Sequence, residues 1–214
     1  MSVHEVERAV WRSFRPEFSA EAFAHVRAGG YAAVVDRSRG DDGPRVTLFV
    51  PLDEKGRLDE LTRWALLSID HRRWLRVKEG AAVGLGRATV RPEYVDAVLD
   101  WCDRDAAHPG SRRTMRLDCL ECAACCRDAN VVLGESDVHR WTKAGRRDLH
   151  GRTYLRRHDG KLTLRILDDG RCPHLADDRR CRIYELRPDN CRWFVVGSEA
   201  CLAAREETLS LRDG

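Results

Sequence analysis

Four cysteines fall within eight residues in the segment Cys119-Leu-Glu-Cys122-Ala-Ala-Cys125-Cys126. Thiolates packed at that density repel one another unless a cation sits among them or protons neutralise them. A soft metal ion removes those protons itself, so the same cluster becomes favourable once metal binds. The spacing of three predicts that Cys119, Cys122 and Cys125 share one side of a helical or turn-like segment, where their sulfurs can converge. The small residues Ala123 and Ala124 allow the chain to wrap closely around a centre. A second, dispersed set follows at Cys172, Cys181, Cys191 and Cys201. Intervals of nine or ten residues suit short loops that return to a common point. Gly170 and Pro173 bracket Cys172 with turn chemistry.

These eight thiols suffice for two four-thiolate sites, or for one site with spare cysteines. Adjacent Cys125 and Cys126 do not easily aim both sulfurs at one ion, so one of them is expected to serve a second site or none. Zinc accepts tetrahedral four-cysteine coordination and iron–sulfur clusters take four thiolates, so the expected cofactor is an iron–sulfur cluster or zinc. The Cys-x2-Cys-x2-Cys run with a remote Cys172-Pro173 resembles part of the ferredoxin pattern, with the difference that Cys126 directly follows Cys125. Arg127, Arg171, Arg179, Arg180, Arg182, Arg187 and Arg192 flank the cysteines and can offset the negative charge of such a centre. His174, two residues after Cys172, is a further donor candidate; a role beside the site is the commoner one for such a histidine. Glu121, Asp137 and Glu185 are acid–base candidates for a metal-dependent enzyme, without a partner pattern that assigns catalysis. Gly84-Leu-Gly86 is too short and poorly placed for a nucleotide loop, so no other cofactor-binding segment is expected.

Cysteine usage divides the chain that must carry this chemistry. Residues 1–101 hold none, Cys102 stands alone, and the rest lie from Cys119 onward. The polar, breaker-rich stretch Ala106 to Thr114 reads as a linker. This gives an N-terminal α+β region over residues 1–110 and a cysteine-cluster domain over 111–214. The overall class is α+β, the second part being small, irregular and metal-stapled, with short helices and a hairpin. In the first part, Phe18, Ala22, Phe23 and Val26 predict a helix within Pro16–Arg27, ended by Gly29-Gly30. Tyr31–Val35 and Val46–Val50 read as strands joined by the turn Arg39–Pro44. Helices are expected over Leu58–Ile69 and from Pro92 to about Arg104, with Cys102 as a small buried apolar residue. In the second part, a short strand and a helix capped near Gly134–Ser136 follow Asn130. Asp159-Gly160 marks a hairpin, Arg187-Pro188 ends a short helix, and Ser198 caps a helix to Leu209. Tyr184 and Phe194 are expected to close over the metal site.

The 214 residues are 43% hydrophobic and 34% charged, a soluble globular composition. No apolar run is long enough to span a bilayer, so no membrane partner is expected. The polar start predicts no secretory signal, hence a cytoplasmic location in which thiols stay reduced and disulfides are disfavoured. The net charge of +3 does not predict nucleic-acid binding. The expected partners are the metal ion or cluster, and a protein partner through the N-terminal region.

Several segments in order resemble the YkgJ-type cysteine-cluster family. They are Cys119-x2-Cys122-x2-Cys125-Cys126, Val131 to Val138, Gly170-x-Cys172-Pro-x-Leu175, and Cys181-x-Ile-Tyr184-x2-Arg187-Pro188-x2-Cys191-Arg192-x-Phe194. The resemblance runs from about Cys119 to Cys201. It implies zinc or iron chelation by the cysteines at the matching positions, and it implies no assigned activity. A relative, the flagellin lysine N-methylase, carries a similar cluster in a larger chain; no cofactor-binding stretch here supports that chemistry.

Overall fold

Alternation along two apolar strands decides how the first part of the chain packs, since successive side chains leave opposite faces of a strand. The computed structural model describes residues 3–38, 43–127 and 129–212. The chain divides into two compact units. One is built mainly from Glu5–Arg116 with Gly197–Leu202, the other mainly from Leu117–Val196 with Ala203–Leu211.

In the first unit the elements are β1 (Val3–Ala9), β2 (Trp11–Phe14), α1 (Ser19–Arg27), β3 (Tyr31–Asp36), β4 (Arg45–Val50), α2 (Glu60–Ser68), β5 (Leu75–Arg76), β6 (Gly86–Thr89), α3 (Val95–Asp105) and β7 (Arg112–Asp118). The central sheet has the order β2-β3-β4-β6-β5, with β2 parallel to β3 and the remaining pairs antiparallel. Helix α1 makes the crossover between the two parallel strands. Tyr31, Ala33, Val35, Val46, Leu48 and Val50 face a core shared with α2 and α3, where Trp11 lies 4.6 Å from Tyr31 and 5.2 Å from Trp101. Ala32 and Phe49 point to the other face and meet Ala22 and Val26 of α1. Both faces are covered, which is why β3 and β4 read as unbroken apolar runs. The expected helices and these two strands are present; the turn residues 39–42 lie outside the described residues. Cys102 is buried on α3, as expected.

The Ala106–Thr114 stretch is not wholly a linker. Its end opens β7, which pairs with β1 in a separate two-stranded sheet. Arg113 there is tied to Asp105 at 3.1 Å, inside a buried ionic network. Asp105 also accepts from the Trp11 amide at 2.8 Å and meets Arg8, whose guanidinium lies 2.6 Å from Glu199. Glu199 further accepts from the Trp11 indole at 2.9 Å, so buried charges here are matched by opposite charge and hydrogen bonds.

The second unit has shorter elements: α4 (Cys119–Cys122), α5 (Glu135–Lys143), β8 (Leu155–His158), β9 (Lys161–Leu164), α6 (Asp189–Arg192) and most of α7 (Glu199–Leu209). Strands β8 and β9 form the hairpin predicted at Asp159-Gly160, both in left-handed conformation with φ of 48° and 73°. Val131–Leu133 adds to β9 through Leu133 N–H to Leu162 O at 2.8 Å and Leu164 N–H to Val131 O at 3.0 Å. Trp141, fully buried, anchors a small core with Leu149, Leu155, Leu164 and Ile183, and its indole donates to Leu186 O at 2.6 Å. Ser198 caps α7 as expected, its hydroxyl accepting from Cys201 N–H at 3.3 Å.

Candidate metal centre

The first cysteine group does not run as one helix. Helix α4 ends after a single turn because Ala123 adopts φ 50°, a left-handed conformation, and a 3-10 turn over Ala124–Cys126 follows. Cys119 and Cys122 thus lie on α4, and Cys125 and Cys126 on the 3-10 turn after it. A single continuous helical face therefore does not carry Cys119, Cys122 and Cys125; the segment is a helical turn followed by a 3-10 turn. Cys122 Sγ accepts from Ala124 N–H at 3.4 Å, closing this turn.

Backbone pairing then carries Cys125 and Cys126 to the dispersed set. Cys172 N–H donates to Cys126 O at 2.9 Å, and Arg127 bridges Arg171. Leu175 bridges Cys181, and Arg182 N–H donates to His174 O at 2.8 Å. Cys191 enters on α6, whose start is held by Cys191 N–H to Pro188 O at 2.9 Å. The Arg179 guanidinium donates to Glu121 O, joining the Cys172–Cys181 loop to α4. Cys172, Cys181 and Cys191 are half-buried and pack against the Trp141 core.

Electrostatics links four thiols. Burial pushes Cys191 up to about 12, and negative charge on Cys172, Cys181 and Cys125 would raise it further. Burial also raises Cys172, with added pressure from Cys181 and Cys125, and it raises Cys181. Cys125 is held above the ordinary thiol range first by its hydrogen bond with the Cys126 thiol. All four thus favour the neutral thiol, and at Cys172 and Cys191 charge on neighbouring thiols would add to this, the situation that a bound cation reverses. Arg187 pulls the other way at Cys125, Cys181 and Cys191, and its guanidinium lies 3.7 Å from the centre of the Tyr184 ring. The sequence named Arg187 among many flanking arginines; the Tyr184 platform that fixes it was not foreseen.

Among the described residues, no group of three or more His, Cys, Asp or Glu side chains stands in a geometry that could hold a metal ion. The donor set still fits a soft metal: four thiols within electrostatic reach, an apolar backing and one fixed cation. Cys119 begins α4, and Cys201 lies in the first turn of α7, which groups with the N-terminal unit. Tyr184 is 37% exposed and serves Arg187, so it does not close over the thiols.

The remaining candidates have other occupations. His174 is 3% exposed and stacks on Tyr154 at 4.6 Å. Burial lowers it to about 4, aided by Arg146 and Arg182, so it is a neutral packed imidazole at neutral pH. Asp137 accepts from Gly134 N–H at 2.9 Å and Asp189 N–H at 2.8 Å and pairs with Arg140, which makes it a structural cap for two helices. Glu121 and Glu185 are exposed carboxylates.

No helix among the described residues is long and apolar enough to cross a membrane. No curated protein and no solved structure matches the chain. A family model does match, over residues 118–208: CxxCxxCC, "Putative zinc- or iron-chelating domain". The match spans the segment that carries all eight clustered cysteines, so that segment is similar to this domain.

Proposed function

We propose that the protein chelates iron, as an iron–sulfur cluster, or zinc, through Cys125, Cys172, Cys181 and Cys191, and that the metal staples the second unit. What supports this reading is the packing of Cys172, Cys181 and Cys191 against one small core, together with the Cys172 N–H to Cys126 O bond that joins the first cysteine group to them, from positions spread over more than sixty residues. Loops of that length bring thiols together only against their ordering entropy, which a metal offsets. Cys119, Cys122 and Cys126 are the further thiols of this unit available to a second site. Arg187 offsets part of the thiolate charge.

The test is anaerobic purification followed by metal analysis, sulfide analysis and a visible spectrum. Iron with acid-labile sulfide and a brown colour identifies a cluster; a colourless protein with zinc identifies a tetrahedral site. Serine at any of the four positions should lower metal content, whereas Cys102→Ser should not. The reading fails if the pure chain folds without metal after reconstitution. It also fails if those four thiols react with a thiol reagent equally fast in loaded and stripped protein.

A further inference from the structure

The longest basic stretch of the chain lies apart from the cysteines. Residues 139–165 hold nine Lys or Arg against two Asp or Glu, a surplus of seven. The whole chain carries +3, so everything outside this stretch sums to −4. Two of these cations are engaged: Arg140 with Asp137 and Asp189, and Arg146 with Asp148. Lys143, Arg147, Arg152, Arg156, Arg157 and Lys161 are exposed and make no ion pair among the described residues.

Part of this surplus rims a groove. Between α5 and the β8–β9 hairpin lies a concavity of about 660 Å³, within the range of ligand-binding clefts. Val132, Leu133, Val138 and Leu162 give it an apolar floor, and Arg157 and Lys161 stand on its hairpin side. His139 and Thr142 face them from α5, and Glu135 is the one acidic residue of the lining. The α5 N-terminus is already satisfied by Asp137, so it is not what would attract an anion.

We infer that this groove binds an acidic peptide segment of a partner protein, with an aliphatic side chain on the apolar floor and carboxylates against Arg157 and Lys161. Two features favour a peptide over a nucleic acid. The floor is aliphatic, which suits a leucine or valine side chain. No Phe, Tyr or Trp lines the groove among the described residues, His139 being its one ring, and extended base stacking is what single-stranded nucleic acid seeks. The inference is independent of which metal the cysteines hold.

The experiment uses the full, metal-loaded chain and three labelled probes followed by fluorescence anisotropy. They are a short peptide alternating glutamate with leucine, its glutamine counterpart, and a single-stranded oligodeoxynucleotide. The acidic peptide should bind saturably and the glutamine peptide far more weakly. The pair Arg157→Glu and Lys161→Glu should weaken the acidic peptide by at least about tenfold, since two attractive contacts become repulsive. Arg147→Glu with Arg152→Glu, on the same basic stretch but outside the groove, should weaken it much less. Unchanged metal content and thermal midpoint verify that the variants fold. Absence of saturable binding overturns the inference, as does equal loss in both pairs, which would mean diffuse attraction. Tighter binding of the oligodeoxynucleotide, lost in the groove variant, reassigns the groove to nucleic acid and also overturns it.

Discussion

Two tryptophans show how differently the two units are held together. Trp11 sits in a core supplied by two helices and one face of a five-stranded sheet whose other face is covered by α1, and it is flanked by a buried ionic network. Trp141 sits in a core made by one nine-residue helix, a four-residue hairpin strand pair and loops, with half-buried cysteines filling its edge. The first unit has the apolar area to fold on its own terms, whereas the second resembles small domains that need an added staple. The lesson is that the cysteines stand where the core runs out.

The comparison is broken most directly by removing the metal. Chelation under reducing conditions should strip amide-exchange protection from Leu117–Val196 while β2, β3, β4 and β6 keep theirs. A structural metal contributes about 10–16 kcal/mol of apparent folding energy in small domains, which exceeds what the Trp141 core can supply. Equal protection in both units after stripping would mean that the second unit stands without its staple.

Next in size is the buried ionic network of the first unit. Asp105→Ala removes the acceptor of the Trp11 amide and leaves Arg8 and Arg113 short of a counter-charge. An uncompensated buried charge costs about 3–5 kcal/mol. Urea unfolding of the first unit should show that loss, with metal content unchanged. A loss near zero would mean that water reaches this network. Smaller again is Cys102→Ala, which trims one buried thiol from α3 and should cost about 1 kcal/mol without altering metal content. Cys172→Ala, chemically the same change, should lower metal content and loosen its whole unit. If both behave alike, the distinction between packed and ligating cysteines is lost.

How much of this contrast the sequence displayed follows from how local its causes are. Helices α1, α2 and α3 and strands β3 and β4 were legible because their periodicity is set within a few residues. Strand β7 was not, because Arg112-Arg-Thr-Met-Arg-Leu-Asp118 carries its charges on a two-stranded ribbon. The ionic network was invisible for the same reason: Arg8 meets Asp105 and Glu199, 97 and 191 residues away. A charged residue with no visible partner is read as surface. In the second unit the hairpin and the cap at Ser198 were legible from two or three residues each. The eight cysteines stood out, but the path of the chain between Cys122 and Cys125 depends on Ala123, an alanine whose left-handed turn no propensity announces.

The smallest effect separates the units by pH. His25 is half-buried on α1, with Nε2 2.9 Å from Val10 O and Nδ1 3.2 Å from the Ser111 hydroxyl. Burial lowers its pKa, the Val10 bond partly opposes this, and the Arg12 charge lowers it further. The unfolded chain therefore binds a proton near pH 6.5 that the folded unit still refuses. Stability from this group is complete above about pH 6.5 and declines as pH falls through the lowered folded value. His25→Gln keeps a donor for Val10 O and removes the titration. The difference between wild type and variant in unfolding free energy should shrink as the solution is acidified from pH 7, in the first unit alone. A flat difference would mean that His25 is solvated like a free imidazole, and its packing against Gly30, where an added Cβ would lie 2.2 Å from Nε2, would have to open in solution.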